Sequence, residues 1–134
     1  MRVLIVVSNK DLGILWQRYL ERGGKHVTLV TTQDDAVAEL ASRRYAVVVL
    51  DLHLEEGSAL AVSDYASYRH PNLRVLVVTR DRFFSDGSIF MHSANACALV
   101  KEDMRLDDLD AMVEHFAMEK PRLSASGGTP KVFN

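Results

Sequence analysis

Three polar residues whose side chains could do chemistry each stand directly after an apolar run. Asp51 ends the run AVVVLD, Thr79 follows LRVLVV and Lys101 follows CALV. Such short, uniform runs are typical of strands that are buried on both faces of a parallel sheet. Open α/β folds place their chemistry at the carboxyl ends of these strands. The sequence therefore predicts a carboxylate, a hydroxyl and an ammonium group at one edge of a sheet.

Asp51 alone also has a simpler interpretation. Aspartate is a common turn residue, because its short carboxylate accepts hydrogen bonds from nearby backbone N–H groups. On that interpretation, Asp51 would only cap the turn that follows its strand. The elements around it decide between a turn and a site.

The remaining pattern predicts five βα units. Strands are predicted over Val3–Val7, Val27–Val30, Tyr45–Asp51, Leu73–Val78 and Cys97–Val100. Helices are predicted to start at Asp11 and Asp34, to cover Ala59–Tyr68 (after the N-cap Ser58) and Phe84–Ser93, and to run along a stripe from Leu106 to Phe116. Repeated βα units require parallel strands with helices on both faces. We expect a flavodoxin-like, doubly wound five-stranded parallel sheet, (βα)5, over residues 1–120, and a flexible tail over 121–134.

Composition narrows the classes of function. The 134 residues fit one domain, and a net charge of −2 gives no electrostatic footprint for nucleic acid. The single cysteine, Cys97, excludes an internal disulfide, and its apolar neighbours predict a buried side chain. No apolar stretch is long enough to span a membrane, so we expect a cytoplasmic protein. The segment after the first strand, VSNKDLG, has neither the dinucleotide-binding nor the P-loop spacing of glycines.

Taken together, the strand-end residues resemble a known family. The order of elements and the spacing of Asp51, Thr79 and Lys101 resemble the receiver (CheY-like) domains of bacterial two-component response regulators. LDLHLEEGSAL resembles that family's loop after the acceptor aspartate, and ALVKED resembles the end of its fifth strand. The resemblance covers residues 2–118. It implies that Asp51 is the phosphoacceptor and that Thr79 and Lys101 contact the phosphoryl group.

The chain departs from the family at the metal site. The resemblance implies a Mg²⁺ ion held by the acceptor, by an acidic pair after the first strand and by a backbone carbonyl. Val7 and Ser8 stand where the acidic pair would be. Because Mg²⁺ prefers carboxylates and water in octahedral geometry, we expect no resident cofactor and at most weak Mg²⁺ binding. Phosphorylation of Asp51 should then be impaired.

Three further positions could modulate the site. Ala98 takes the place of the family's switch aromatic. Arg80 replaces a small residue, and it could cover Asp51 or pair with it, or it could point to solvent. His53 could be a ligand or proton shuttle, or an ordinary exposed loop histidine. With two carboxylates lost, we expect a pocket of more positive charge in which Asp51 pairs with Lys101 or Arg80.

The leading hypothesis is a receiver domain that acts as a phosphorelay or interaction module and is not an enzyme. Its partners would be a sensor histidine kinase, a phosphotransfer protein or an effector, without nucleic acid or membrane. The apolar segment Phe84–Ser93 could form a homodimer surface, or it could simply belong to the core. Two alternatives remain open: a working phosphoacceptor in a two-component relay, and a flavodoxin-like binder of a small ligand.

Overall fold

A parallel sheet with helices on both faces forms the fold. The computed structural model describes residues 1–80, 95–118 and 131–132, and the sheet order is β2-β1-β3-β4-β5-β6. The strands are β1 (Arg2–Val6), β2 (His26–Val30), β3 (Val47–Asp51), β4 (Arg74–Thr79), β5 (Ala96–Lys101) and β6 (Lys131–Val132). The helices are α1 (Lys10–Arg22), α2 (Gln33–Ser42), α3 (Ala59–Arg69) and α4 (Leu106–Met118).

The five predicted strands are all present and all parallel, which confirms the predicted fold class. The two-residue strand β6 lies in the segment predicted as a tail and adds to the sheet beside β5. The apolar pattern of the sequence does not predict this strand. The helix predicted over Phe84–Ser93 lies outside the described residues, as does most of the segment 121–134.

The alternation of side chains along each strand divides the core into two layers. Leu4, Val48 and Val77 point to the layer that α2 and α3 cover. Ile5, Val49 and Leu76 point to the opposite layer, which α1 and α4 cover through residues such as Trp16 and Phe116. Because strands β1, β3, β4 and β5 are buried on both faces, their sequences are uniformly apolar rather than alternating.

Short polar side chains start the helices. Asn9 caps α1 by accepting a hydrogen bond from the Leu12 N–H at 3.1 Å, so that the helix begins before Asp11 and not at it. Asp11 occupies the first turn, where its negative charge favours the helix dipole. Ser58 caps α3 as predicted, through the Ala61 N–H at 3.2 Å. Leu15, in the middle of α1, is 50% exposed.

The helices of residues 1–80 and 95–118 do not combine the length and the apolar character that crossing a membrane requires.

A buried lysine joins the two ends of the folded region. The Lys25 ammonium group donates to Asp110 at 2.7 Å and to Glu114 at 2.9 Å, linking the turn after α1 to α4. The Lys25 side chain is 3% exposed, whereas those of Asp110 and Glu114 are 26% and 54% exposed. Burial lowers the pKa of Lys25, but the hydrogen bonds and charges of its two partners outweigh this effect and raise the pKa above its ordinary value.

We expect Lys25→Met to lower the free energy of unfolding at pH 7 by about 1–2 kcal/mol, because methionine keeps the buried stem and loses the hydrogen bonds. Chemical denaturation measures this loss. The difference between the variant and the unmodified chain should shrink above pH 10.5, the ordinary lysine value, as Lys25 deprotonates. Arg105→Met is the control, because Arg105 pairs with Asp107 in open solvent. Equal stability of the Lys25 variant and the unmodified chain would contradict this role.

Candidate functional site

The register of the parallel strands brings the three strand-end residues to one edge of the sheet. Asp51, Thr79 and Lys101 are the last residues of β3, β4 and β5. Asp51 pairs in register with Val78, the residue before Thr79, and Thr79 pairs directly with Lys101. Asp51 and Thr79 are 6% and 1% exposed, and Lys101 is half-buried. This geometry agrees with the expectation that the three residues lie at one edge of the sheet.

An irregularity in β5 sets the pairing of Thr79 with Lys101. Val75 pairs with Ala96, but the next residue, Leu76, pairs with Ala98, so the register shifts at Cys97. Without this β-bulge, Thr79 would lie opposite Val100 instead of Lys101. A bulge re-aims the side chains beyond it, and this one, at the start of β5, sets Lys101 opposite Thr79.

Backbone N–H groups on either side hold the Asp51 carboxylate. Its Oδ1 accepts a hydrogen bond from the His53 N–H at 2.9 Å, as in an Asx-turn. Its Oδ2 lies 3.5 Å from the Ser8 nitrogen, a long contact from the end of β1. Asp51 is therefore both a turn residue and a strand-end carboxylate, and the two interpretations from the sequence are compatible.

Val7 and Ser8, the positions where the resemblance implies an acidic pair, have structural partners of their own. Val7 is 1% exposed and packs in the core layer of α1 and α4. The Ser8 Oγ accepts a hydrogen bond from the Glu55 N–H at 2.7 Å. Ser8 thus ties the end of β1 to the loop between β3 and α3, with its N–H facing Asp51 and its hydroxyl bound to the loop.

The loop between β3 and α3 is also fixed to the start of α2. The Gln33 N–H donates to the Glu56 carbonyl at 3.0 Å, and the Gln33 Oε1 accepts from the Ser58 N–H at 2.7 Å. Gly57 between them has φ +104°, a region that favours glycine, and a Cβ there would lie 2.2 Å from the Gln33 Cβ. The end of β1 and the start of α2 therefore both hold this loop in position.

Arg80 pairs with a neighbouring carboxylate, that of Glu102. Its Nε lies 3.3 Å from the Glu102 Oε2, and the two side chains are 51% and 31% exposed. The backbone also links the ends of β4 and β5, because the Glu102 N–H donates to the Thr79 carbonyl at 2.8 Å. Among the ion pairs of the described residues, none joins Asp51 to Arg80 or Lys101, which differs from the expected lasting pair.

Ala98 and His53, the other two positions expected to modulate the site, are less exposed than typical surface-loop residues. Ala98 is fully buried in β5 and packs in the layer of α1 and α4, so a small side chain fills the place of the expected aromatic. The His53 side chain is half-buried, whereas the simpler interpretation places it in an exposed loop. Its backbone N–H is the group that contacts Asp51.

A surface cavity of about 480 Å³ lies apart from these residues. Three carboxylate residues contribute to its wall, which does not include Asp51, Thr79 or Lys101. The lining residues are Thr32, Gln33, Asp34, Asp35, Glu56 and Gly57. Its acidic lining disfavours phosphorylated ligands.

Solved structures with a similar architecture are known. No family model matches the sequence, and no curated protein matches it. A CheY-like receiver domain from Methanospirillum hungatei JF-1 superposes with a TM-score of 0.80 at 20% identity, covering 87% of this chain and 92% of that one. A two-component response regulator from Clostridium difficile gives a TM-score of 0.78 at 16% identity, covering 87% of this chain and 94% of that one.

A response regulator from Burkholderia pseudomallei is also similar, and its structure contains a phosphorylated aspartic acid, a calcium ion and citrate. The TM-score is 0.78 at 21% identity, with 87% of this chain and 68% of that one covered. The chain has the receiver-domain fold. The fold predicted by resemblance is therefore confirmed, although only about a fifth of the aligned residues are identical to those of these receivers.

Two features of this receiver fold were not foreseen from the sequence. The bond from Ser8 to Glu55 joins residues that lie far apart in the chain, and nothing in the local pattern VVSNK indicates it. The pairing of Arg80 with Glu102 had a visible signal, since each residue directly follows one of the neighbouring strand ends Thr79 and Lys101. Opposite charges at adjacent strand ends could have suggested this pair.

We expect Ser8→Ala to loosen the loop between β3 and α3, because the Glu55 N–H loses its hydrogen-bond acceptor. The loss in free energy of unfolding should be about 0.5–1 kcal/mol, and hydrogen exchange of the Glu55 amide should become faster. Ser8→Thr keeps the hydroxyl and is the matched control. Unchanged exchange at Glu55 in the alanine variant would show that Ser8 does not hold the loop.

Proposed function

We propose that the protein is a receiver-type signalling module with little Mg²⁺-dependent phosphorylation at Asp51. It would work by binding another protein of a two-component pathway, without catalysing a reaction, in the cytoplasm. The fold supports the class of function, because similar structures are response-regulator receivers. The phosphorylated aspartic acid in the Burkholderia structure supports the interpretation of Asp51, which ends β3, as the acceptor position.

The hydrogen bond of Ser8 to the loop is the observation that carries the proposal. Mg²⁺ requires oxygen ligands in near-octahedral geometry and favours carboxylates. Val7 offers a buried methyl group, and the Ser8 hydroxyl already binds the Glu55 N–H at 2.7 Å. Among residues 1–80, 95–118 and 131–132, no three His, Cys, Asp or Glu side chains come together as a possible ligand group. The donors around Asp51 therefore do not suit Mg²⁺.

The small amount of positive charge around Asp51 also supports slow phosphorylation. In a phosphoryl transfer, an Asp51 oxygen would bond to phosphorus while the donor's leaving group departs with the electron pair. The negative charge on the transferred oxygens must be stabilised in the transition state. Lys101, at the end of β5, can supply one positive charge, whereas Arg80 is engaged by Glu102. One lysine replaces only part of the charge of a divalent cation.

A receiver that is seldom phosphorylated would spend its time in one conformation. Its backbone bonds to Asp51 and the Ser8 contact fix the acceptor loop without a ligand. Its partner would be a sensor histidine kinase, a phosphotransfer protein or an effector that recognises this conformation. A homodimer through Phe84–Ser93 is part of the same proposal and concerns residues outside those described.

The direct test is incubation with a small-molecule phosphodonor and Mg²⁺, followed by intact-mass measurement. We expect only a small fraction of the chain to gain a phosphoryl group, in the presence or absence of Mg²⁺. Asp51→Asn is the control for modification at other residues. Rapid, stoichiometric and Mg²⁺-dependent addition at Asp51 would overturn the proposal and favour the second candidate, a working acceptor in a relay, for which Asp51, Thr79 and Lys101 are all in place.

Restoring one carboxylate should restore part of the metal site. We expect Ser8→Asp to bind Mg²⁺ about tenfold or more tightly than the unmodified chain, because a second anionic oxygen would face the cation beside Asp51. Its carboxylate can still accept the Glu55 N–H, so the loop is not released. Amide chemical shifts of residues 8 and 51 during Mg²⁺ titration measure the affinity. Ser8→Asn is the uncharged control, and equal affinities for the two variants would contradict this account.

The small-ligand alternative is less well supported. The described cavity of about 480 Å³ is acidic and does not include the strand-end residues. An absorbance spectrum of the purified protein tests for a bound flavin directly.

A further inference from the structure

Strand β5 would be the outer strand of the sheet if β6 were absent. One side of β5 pairs with β4 along its length. On its other side, among the described residues, only Ala98 and Leu99 have strand partners, and these are Lys131 and Val132 of β6. The open side of a strand presents unpaired N–H and C=O groups, which readily accept a further strand.

The composition of β5 makes this edge prone to pairing. The run ACALV has no charged residue or proline before Lys101. Each of these five residues is 6% exposed or less. The polar groups along this edge are therefore those of the backbone. Natural sheets usually protect such edges with charges, with proline or with a covering segment. β5 has no protection of the first two kinds before Lys101, and beyond its bulge at Cys97 the residues Ala98 and Leu99 pair with β6.

The C-terminal sequence has the properties of a short covering strand. Lys131 directly follows Pro130, which has no N–H to give to a neighbouring strand, so pairing that begins at Lys131 is physically reasonable. Val132 and Phe133 have high β-propensity. The strand is also parallel to β5, and α4 between them provides the crossover that parallel neighbours need.

We propose that the outer edge of β5 is a strand-binding surface, and that its occupant is this chain's own C-terminal segment, which docks through Lys131–Val132. Backbone hydrogen bonds carry the docking, as in other complexes in which an extended segment adds to a sheet edge. A two-residue pairing is short, so the segment holds the edge by its tethered proximity rather than by a large contact. The proposal does not depend on whether Asp51 is phosphorylated.

The test compares two double variants of the full chain. Lys131→Pro with Val132→Pro removes both backbone N–H groups of β6, whereas Lys131→Ala with Val132→Ala keeps them. We expect amide hydrogen exchange at the outer edge of β5, around Ala98 and Leu99, to become at least about fivefold faster in the proline variant than in the alanine variant. Exchange in β1 and β3, which lie away from this edge, should stay the same in both and reports that the fold is intact.

A second measurement adds the occupant back as a separate molecule. A synthetic peptide of residues 121–134, titrated into the proline variant, should shift the amide signals of β5 and slow their exchange. The same peptide should bind the unmodified chain much more weakly, because the tethered segment competes for the edge. Equal exchange at β5 in the alanine and proline variants, or no effect of the peptide on the proline variant, would overturn the proposal.

Discussion

The parallel register of β3, β4 and β5 is the constraint on which the site depends. It sets Asp51 beside Val78 and Thr79 beside Lys101, and so decides which side chains meet. In a parallel sheet that is buried on both faces, polar groups can emerge only where the strands end, since an unpaired polar group within the sheet would be costly. The bulge at Cys97 then shifts the register between β4 and β5 by one residue. A change to the core that moved this register would therefore alter the site without touching its residues.

How far the sequence predicts this protein depends on whether a feature is local in the chain. The buried strands were predictable because their apolar runs are continuous, and the cap Ser58 was predictable because it precedes a helical stripe. The start of α1 was misplaced by a short distance, because Asn9 and Asp11 are both good capping residues and only the fold selects between them. The bond between Ser8 and Glu55 and the strand β6 both join residues that are distant in sequence, so no local pattern could indicate them.

The charges at the strand ends are less positive than residue counting suggests. Counted from the sequence alone, Lys101 and Arg80 would place two cations around Asp51. In the structure Glu102 neutralises Arg80 at 3.3 Å, and this partly exposed pair lies where solvent screens it. Lys101 is then the cation of the strand ends that remains for Asp51, a single charge in a half-buried position. The relevant cations could be identified from the sequence, but the pairing of Arg80 with Glu102 lowers the net positive charge at the strand ends.

Ser8, one of the two positions where the resemblance places an acidic residue, holds the loop between β3 and α3 to the end of β1. A cation shared between the end of β1 and this loop would join them only when it is bound, so the loop position would depend on a ligand. The Ser8 hydroxyl joins the same two segments with a permanent hydrogen bond to Glu55, and Gln33 fixes the far end of the loop to α2. A loop held in this way loses little freedom when a partner binds, because its conformation is already set. Under the proposed function, a loop fixed in this way suits recognition of one surface by a protein partner.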